Sequence, residues 1–451
     1  MMQNKVLKNA TWIIGCRIVQ MLLSIVVTML TARFLGPSGY GTINYAASLV
    51  AFVIPIMNLG LTGVLVYEII HNPTQEGEIM GTSICMTLSS SVLCIIGVVL
   101  FTVFVNAGER ETIIVCALYS IILIFQALEI MQYWFQAKLK SKYTSLAMLF
   151  AYMIVSIYKI VLLVLNCSIY LFAVSSAFDY MIIAVSLLII YKKLGGQSLK
   201  FSWAKAKEMF ARSKYYIVSN LMVIIFAETD KIMLKLMISS EATGLYSASV
   251  ACAQVTNFVF SAIIDSSRPS ILESEQQSDQ VFETGVVKLY SVVIYLSLLQ
   301  CIVITLFAPF VINILYGAEY ANAVNPLRII VWYTTFAYLG AVRNIWMLAK
   351  NKQKYLWILN VCGAAANIVL NLIFIRLWGM VGAALASLIT QIFTNVVMNI
   401  IVWPISRNNY LMLKALNPKW IIHFAKGFIS DFKRRKLNKV GVKAENNIKG
   451  E

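Results

Sequence analysis

Charged residues are scarce in this chain of 451 residues, at 13% of the sequence, while 60% of its residues are hydrophobic. A soluble globular protein carries roughly 25% charged residues. Long apolar runs recur from Trp12 to Trp403. These features exclude a water-soluble fold for most of the chain and predict a protein that crosses a membrane many times.

Residues with the chemistry of metal and redox sites are also few. The chain has two histidines, His71 and His423, and eight cysteines that are spread singly with no C-x-x-C pair. This spacing does not fit a structural zinc site or a disulfide framework. No G-x-x-x-x-G-K-[ST] phosphate loop occurs, which argues against ATP as the direct energy source. We therefore predict no catalytic residues, no metal site and no cofactor.

Twelve apolar segments are long enough to span a membrane. They lie at residues 12–33, 42–67, 80–105, 112–135, 145–166, 169–191, 215–238, 244–266, 287–315, 327–349, 355–376 and 380–403. The first follows Lys5 and Lys8 directly and lacks a cleavable signal peptide, so we expect it to be retained as a helix. The predicted fold class is an all-α polytopic membrane protein with twelve transmembrane helices.

The orientation of these helices follows from the distribution of Lys and Arg. With the N-terminus inside, the inner segments carry 28 of the 37 basic residues and the outer loops carry four. The positive-inside rule then predicts that both termini are cytoplasmic. The net charge of +17 is thus a topology signal and does not indicate nucleic-acid binding, for which a soluble basic face would be expected.

A basic polar stretch at the midpoint of the chain divides the helices six and six. The predicted organisation is an N-terminal lobe (1–191), a cytoplasmic basic linker (192–214), a C-terminal lobe (215–403) and a cytoplasmic basic tail (404–451). In the tail, aromatic residues recur every fourth position, at Trp420, Phe424, Phe428 and Phe432. This spacing predicts an amphipathic basic helix on an anionic membrane surface.

Similar turns stand at equivalent places in the two predicted lobes. LGPSGYGTINYAAS lies between segments 1 and 2, and ISSEATGLYSASVA lies between segments 7 and 8. In both, a glycine and a tyrosine lead into a helix of small residues, which allow helices to approach closely. The match favours a duplicated architecture, as in many transporters, although two unrelated tight turns would look alike.

Four stretches resemble a single family. They are ARFLGPSGYG, TDKIML with the later TGLYSASVA, NILYGAEYANAVNPLRII, and NIVLNLIFIRLWGMVGAALASLITQ. Together they are similar to the polysaccharide repeat-unit flippases (O-antigen, Wzx-like) of the multidrug/oligosaccharidyl-lipid/polysaccharide exporter superfamily. Lipid II flippases of that superfamily usually have fourteen helices, so twelve segments favour the polysaccharide branch.

The resemblance implies two six-helix lobes around a central cavity in the bacterial inner membrane. This cavity would move an undecaprenyl-pyrophosphate-linked oligosaccharide from the cytoplasmic to the periplasmic leaflet. The implied partners are the lipid-linked oligosaccharide, membrane lipids, a coupling ion (H⁺ or Na⁺) and other polysaccharide-assembly proteins.

Four charged residues lie in segment 7, where each would be costly if it faced lipid. At 100° per residue, Glu228, Lys231 and Lys235 fall on one stripe and Asp230 lies on the opposite side. We predict that the stripe lines a hydrated substrate cavity. In the alternative, Glu228 and Lys231 neutralise each other, Lys235 snorkels to the outer interface, and Asp230 bonds a neighbouring helix.

Two further basic residues are candidates for the substrate's anionic headgroup. Arg17 lies in segment 1 towards the predicted cytoplasmic side, and a guanidinium binds pyrophosphate bidentately. The resemblance supports Arg17, because lipid flippases of the superfamily use arginines near helix 1. Its alternative role is snorkelling to lipid phosphates. Arg343 in segment 10 lies closer to the inner end, which favours an interface anchor.

Opposite charges also lie on three adjacent segments of the first lobe. Lys159 could bridge Glu129 and Asp179 in one buried network. Such a network could be purely structural, or one of its acids, or Asp230, could bind and release a coupling ion.

Two other functions compete with flipping. A cation-coupled multidrug antiporter of the same superfamily would be expected to have a smaller, more acidic cavity. A polysaccharide polymerase would need an extracytoplasmic loop with catalytic groups, but the predicted outer loops are only a few residues long. We therefore predict a transporter and not an enzyme.

Overall fold

The computed structural model describes residues 2–422, and the side chains of residues 15–422. The described residues form two compact units. Unit 1 contains residues 2–249 together with Pro309–Pro326 and Ala364–Ala383, and unit 2 contains Val250–Ala308, Leu327–Gly363 and residues 384–422. These bounds differ from the two predicted lobes, so the division six and six stays a prediction.

The described residues are helical almost throughout and contain no β-strand. The α-helices are α1 (Met2–Met57), α2 (Leu65–His71), α3 (Glu76–Val105), α4 (Arg110–Ser120), α5 (Ile122–Leu128), α6 (Gln132–Ala137), α7 (Ser141–Val164), α8 (Ile169–Lys193), α9 (Trp203–Met237), α10 (Ser240–Gln254), α11 (Asn257–Glu275), α12 (Asp279–Tyr316), α13 (Val324–Ala349), α14 (Leu356–Ile392), α15 (Met398–Ile401) and α16 (Ser406–Lys414). A π-helical turn, Phe393–Val397, joins α14 to α15.

Two long helices are each divided by a glycine that has left the helical conformation. Gly36 in α1 has φ 64° and ψ 174°, and Gly379 in α14 has φ 59° and ψ −132°. Residues with a Cβ rarely adopt these angles. The breaks lie where the sequence predicts the loops after segments 1 and 11, so each long helix supplies two of the predicted segments.

Within the described residues, seven helical stretches are long and apolar enough to span a membrane, and α10 with α11 forms an eighth that bends by 42°. Two of the seven stretches contain the glycine breaks. The two other predicted segments lie in α9, which carries the charges of segment 7, and in α13. Helices therefore occur at all twelve predicted segments, and the predicted all-α polytopic membrane fold is confirmed.

Unit 1 is built around α1, which packs against α3, α4, α7 and α9. Its core is apolar and includes Leu61, Leu65 and Trp134 among the buried residues. In unit 2 the largest core cluster includes Phe282, Tyr290 and Leu411. Leu411 belongs to α16, so the first part of the predicted tail packs into unit 2. Phe424, Phe428 and Phe432 lie outside the described residues.

The second half of the predicted linker is also folded. Helix α9 begins at Trp203, and its first turns are fixed to α2 by the carboxylate of Glu68, which is 1% exposed. Arg212 forms an ion pair with Glu68, and Lys205 Nζ lies 3.7 Å from Glu68 Oε2. The linker thus begins the seventh membrane helix.

Removing this buried carboxylate leaves Lys205 and Arg212 with only the more exposed Glu208 as an acidic partner. We expect Glu68→Gln to lower the free energy of unfolding by about 1.5–3 kcal/mol, because charge-assisted hydrogen bonds to a buried group are lost. Glu208 is a matched control, since it pairs with the same Lys205 and Arg212 but is 42% exposed. We expect Glu208→Gln to cost less than about 1 kcal/mol. Equal unfolding midpoints for the two variants in detergent would contradict this assignment.

Candidate functional site

The charged stripe of α9 is paired in the structure. Lys231 Nζ lies 2.9 Å from Glu228 Oε2, and the hydroxyl of Ser48 donates to the same oxygen at 2.6 Å. The side chains of Lys231 and Glu228 are 16% and 19% exposed. The neutralising pair expected from the i, i+3 spacing is therefore present, and both charges keep some access. Contact with substrate stays a prediction.

Lys235 reaches the turn between α3 and α4. Its Nζ lies 2.6 Å from Glu109 Oε2, which also accepts a hydrogen bond from Thr112 at 2.8 Å. The hydrogen bond from Lys235 lowers the pKa of Glu109 below its ordinary value. The Lys235 side chain is only 6% exposed, so it is a buried ion-pair partner rather than a side chain snorkelling into solvent.

Asp230 is the most buried acid of α9, at 4% exposure. Tyr246 Oη donates to its Oδ2 at 2.5 Å, and Asn371 Nδ2 donates to its Oδ1 at 2.7 Å. Asn367 Nδ2 lies 3.4 Å from the same oxygen. Asp230 thus links α9 to α10 and to α14. Sequence reasoning did not identify Tyr246 or the asparagines, although the i, i+4 spacing in NIVLN places both amides on one helix face.

The side chains of Asp230, Asn367 and Asn371 bring carboxylate and amide oxygens close together. The Oδ1 atoms of Asn367 and Asn371 are buried without a hydrogen-bond partner. An amide oxygen and its nitrogen exchange places when the amide flips, which would turn both oxygens towards the carboxylate. Carboxylate and amide oxygens are the ligands of hard cations. One acid with neutral oxygens suits a monovalent cation, and no group of three or more His, Cys, Asp or Glu able to hold a metal ion occurs in the described part.

Arg17 opens onto a polar cavity of about 230 Å³ between α1, α6 and α7. The guanidinium-bearing side chain is exposed. The other polar residues that line the cavity carry amides and hydroxyls: Gln20, Gln132, Gln136, Ser141, Thr144 and Ser145. One cation beside six neutral hydrogen-bonding side chains can bind a molecule with both an anionic group and hydroxyl groups.

The predicted bridge through Lys159 is not formed. Among the described residues, no ion pair within 4.0 Å joins Lys159 to Glu129 or to Asp179. Each of the three side chains is partly buried, and Asp179 Oδ1 is buried without a hydrogen-bond partner. Their helices are adjacent as expected, but the side chains do not meet. A role in ion coupling stays a prediction.

Arg343 is buried inside unit 2, at 4% exposure, and is not an interface anchor. Its Nη1 donates to the carbonyl oxygen of Thr394 at 3.1 Å, and its Nη2 donates to Asn344 Oδ1 at 3.2 Å. Thr394 lies in the π-helical turn, where the wider helical register leaves carbonyl groups available. Arg343 therefore supports this irregular turn, and its predicted contact with substrate stays a prediction.

The two similar turns found in the sequence meet within unit 1. A Cβ added to Gly41 would lie 1.7 Å from the carbonyl oxygen of Ser240, and one added to Gly244 would lie 1.9 Å from the carbonyl oxygen of Pro37. Thr42 Oγ1 donates to Ser240 Oγ at 3.1 Å beside them. We call this the Gly41–Gly244 contact. Only glycine permits such an approach at both positions.

A second set of contacts lies nearby in unit 1. Arg33 Nε donates to the carbonyl oxygen of Leu315 at 3.0 Å, and Tyr320 Oη donates to that of Ala32 at 2.8 Å. Arg33 thereby caps the last carbonyls of α12. These bonds fix the end of α12 to the end of the first arm of α1, at the predicted outer side.

The sequence of this chain is similar to those of known membrane proteins. The model of the family described as "Polysaccharide biosynthesis protein" matches residues 6–275. The uncharacterized membrane protein MJ1068 of Methanocaldococcus jannaschii is 27% identical over 285 residues. That match covers 58% of this chain and 54% of the relative, so the chain spans about half the length of this curated relative.

Solved structures show the same fold at low identity. An inward-facing multidrug resistance MATE family transporter of the MOP superfamily aligns with a TM-score of 0.67 at 12% identity, covering 87% of this chain and 95% of that one. The lipid II flippase MurJ in an inward closed conformation aligns with a TM-score of 0.65 at 15% identity, covering 92% of both chains. The predicted family resemblance is confirmed: the chain belongs to the polysaccharide biosynthesis protein family and has the membrane-transporter fold of the MOP superfamily.

Proposed function

We propose that this protein is a flippase that moves undecaprenyl-pyrophosphate-linked oligosaccharide repeat units, of O-antigen or a similar surface polysaccharide, across the bacterial inner membrane. The direction is from the cytoplasmic to the periplasmic leaflet. Family membership supports a lipid-linked glycan as the substrate. The observation that carries the proposal is the Arg17 cavity, where one guanidinium stands among amides and hydroxyls.

Each part of this cavity matches a part of the proposed substrate. The guanidinium of Arg17 offers a planar fork of donors that binds two phosphate oxygens at once. Gln20, Gln132 and Gln136 each provide an amide donor and an amide acceptor for sugar hydroxyls. The pair of Glu228 and Lys231 would contact sugars from α9 in the same hydrated pathway.

Transport against a gradient requires an energy source, and we propose a coupling cation at Asp230. The amide nitrogens of Asn367 and Asn371 face the carboxylate in this structure. If both amides flip, their unpartnered Oδ1 atoms join the carboxylate as oxygen ligands, which supports Na⁺ as the ion. Glu129, Asp179 and Lys159 are the proposed proton-linked alternative. In either case the ion acts by changing the relative stability of two conformations.

Alternating access would require the Gly41–Gly244 contact and the Arg33 bonds to separate in each cycle. These contacts hold α1 to α10 and α12 at the predicted outer ends. The proposed outward-open state therefore lacks them, and the energy of ion binding would offset their loss.

The proposal is tested by measuring in which leaflet of the membrane the lipid-linked glycan lies. In right-side-out vesicles, a membrane-impermeant glycosidase digests only glycan that has been moved outward. We expect Arg17→Gln to lower the rate of outward exposure at least about tenfold, since a charge-assisted hydrogen bond contributes about 1.5–3 kcal/mol. Arg110→Gln is the control, because Arg110 is an exposed arginine at the start of α4.

Three outcomes separate the candidate functions. Protected glycan in the Arg17 variant, with normal exposure in the Arg110 variant, supports flipping through the Arg17 cavity. Unchanged glycan exposure together with lost drug resistance would favour the multidrug antiporter. Normal exposure with unpolymerised glycan would favour a polymerase.

A further inference from the structure

We propose that unit 2 contains a binding site for the headgroup of an anionic phospholipid, separate from the flipping pathway. The site is a cavity of about 720 Å³ between α12, the end of α16 and the chain that follows α16. Three lysines line it: Lys288, Lys414 and Lys419. Trp420 closes one side, and its ring lies 5.7 Å from Lys414 Nζ. This proposal does not depend on which substrate is transported.

Within residues 15–422 the lysines of this cavity have no acidic partner, whereas nearby acids are already engaged. Among the described residues, none of the three lysines forms an ion pair within 4.0 Å, and no acid lines the cavity. Arg407 holds both carboxylate oxygens of Glu283, each at 2.8 Å. Lys350 pairs with Glu275 and Asp279, at 3.3 and 2.6 Å.

Such a segregation of charge favours the binding of an anion from outside. Three ammonium groups around one cavity repel one another, and a negative charge between them relieves this repulsion. A phosphate group would supply that charge and accept hydrogen bonds from the ammonium groups.

The position of the cavity along α12 points to a lipid as the source of that anion. Helix α12 has 38 residues, whereas about 20 residues are enough to cross the hydrocarbon core. Lys288 lies nine residues after the start of α12, at the edge of the predicted span that begins at residue 287. Lysine and tryptophan at this depth are typical of the headgroup layer.

A second cavity adjoins the first and extends the match to a phospholipid. It has a volume of about 450 Å³ and shares Thr284 and Lys288 with the basic cavity. Its other polar lining residues, Ser270, Ser274 and Gln280, are neutral. A phosphate beside Lys288 would thus have hydroxyl and amide groups next to it, which suits a hydroxyl-bearing headgroup such as phosphatidylglycerol.

Lipid binding to the purified full chain tests this site. We would titrate delipidated protein with phosphatidylglycerol or phosphatidylcholine of identical acyl chains and follow bound lipid by native mass spectrometry. We expect the triple variant Lys288→Gln, Lys414→Gln, Lys419→Gln to bind phosphatidylglycerol about a hundredfold more weakly, since each lysine near an anionic surface contributes about fivefold. Binding of phosphatidylcholine should not change.

Two further triple variants serve as controls for charge removal and for misfolding. Lys192→Gln, Lys193→Gln and Lys200→Gln remove the same charge from exposed lysines of unit 1 and should leave the lipid preference intact. Lys288→Arg, Lys414→Arg and Lys419→Arg keep the charge and should also retain it, which separates lost binding from misfolding. An unchanged preference in the glutamine variant, or an equal loss in the unit 1 control, would overturn the site. Displacement of the lipid by millimolar inorganic phosphate would overturn its assignment to a phospholipid.

Discussion

We expect Gly244→Val to abolish transport and to expose the predicted outer side of the protein. A side chain at this position meets the carbonyl oxygen of Pro37, which lies 1.9 Å from where a Cβ would stand. Backbone atoms at such a distance must move apart, and overpacking of this kind costs about 1–3 kcal/mol. That cost falls only on conformations in which the Gly41–Gly244 contact is made. It therefore shifts the population towards the open state by roughly fivefold to 150-fold.

Chemical labelling separates this shift from misfolding. Ser240→Cys places a thiol beside Thr42, and a membrane-impermeant maleimide reports whether the thiol is accessible from outside. We expect slow labelling in an otherwise unaltered chain and fast labelling when Gly244→Val is added. Gly97→Val is the control, because a Cβ at Gly97 meets no atom within 4 Å. Slow labelling with full transport in the Gly244 variant would disprove the proposed outer contact.

We expect Asp230→Asn to remove the proposed dependence of transport on sodium. The substitution keeps the shape of the side chain and the hydrogen bond from Tyr246, which is 2.5 Å long, so the helices should remain joined. It removes the only negative charge from the proposed cation ligands. Because a buried charge that loses its partner costs about 3–5 kcal/mol, we expect at least a hundredfold weaker activation by Na⁺.

The rate of glycan exposure as a function of Na⁺ concentration, at fixed pH, measures this effect. Asp265→Asn is the matched control, since Asp265 is 63% exposed and pairs with Arg268 at 3.0 Å. If the rate of transport depended on pH and not on Na⁺ concentration, the coupling role would be assigned to Glu129 or Asp179 instead. Full Na⁺ activation in the Asp230 variant would exclude the proposed site.

Hydropathy was sufficient to place the membrane helices, because a span is a property of one continuous segment. The loop predicted after segment 1 lies at the Gly36 break, and the one after segment 11 lies at Gly379. The start of α9 could not be found in this way. Residues 203–214 are polar, and their helix is fixed by tertiary contacts such as the ion pair of Arg212 with Glu68.

The partners of the charged residues were harder to predict, since they depend on how each helix is rotated and on its neighbours. The pair of Glu228 and Lys231 follows from spacing within one helix and is present. The bridge through Lys159 needed three helices in register and is not formed. Asn367 and Asn371 were overlooked because uncharged residues in an apolar run give no signal until Asp230 is placed beside them.

Helix α9 has the construction of a rigid lever. It runs for 35 residues without a proline or glycine, a length of about 52 Å at 1.5 Å per residue. One end is fastened to Glu68 through Lys205 and Arg212, and the proposed ion-binding residue Asp230 lies near the other. Asp230 lies 27 residues after Trp203, a distance of about 40 Å along the helix. With no internal hinge to absorb a displacement, a tilt of only about 10° at the ion would move the far end by roughly 7 Å. A small change in the oxygens around one cation at the proposed site would thereby be magnified into a movement of several ångströms at the other end of the helix.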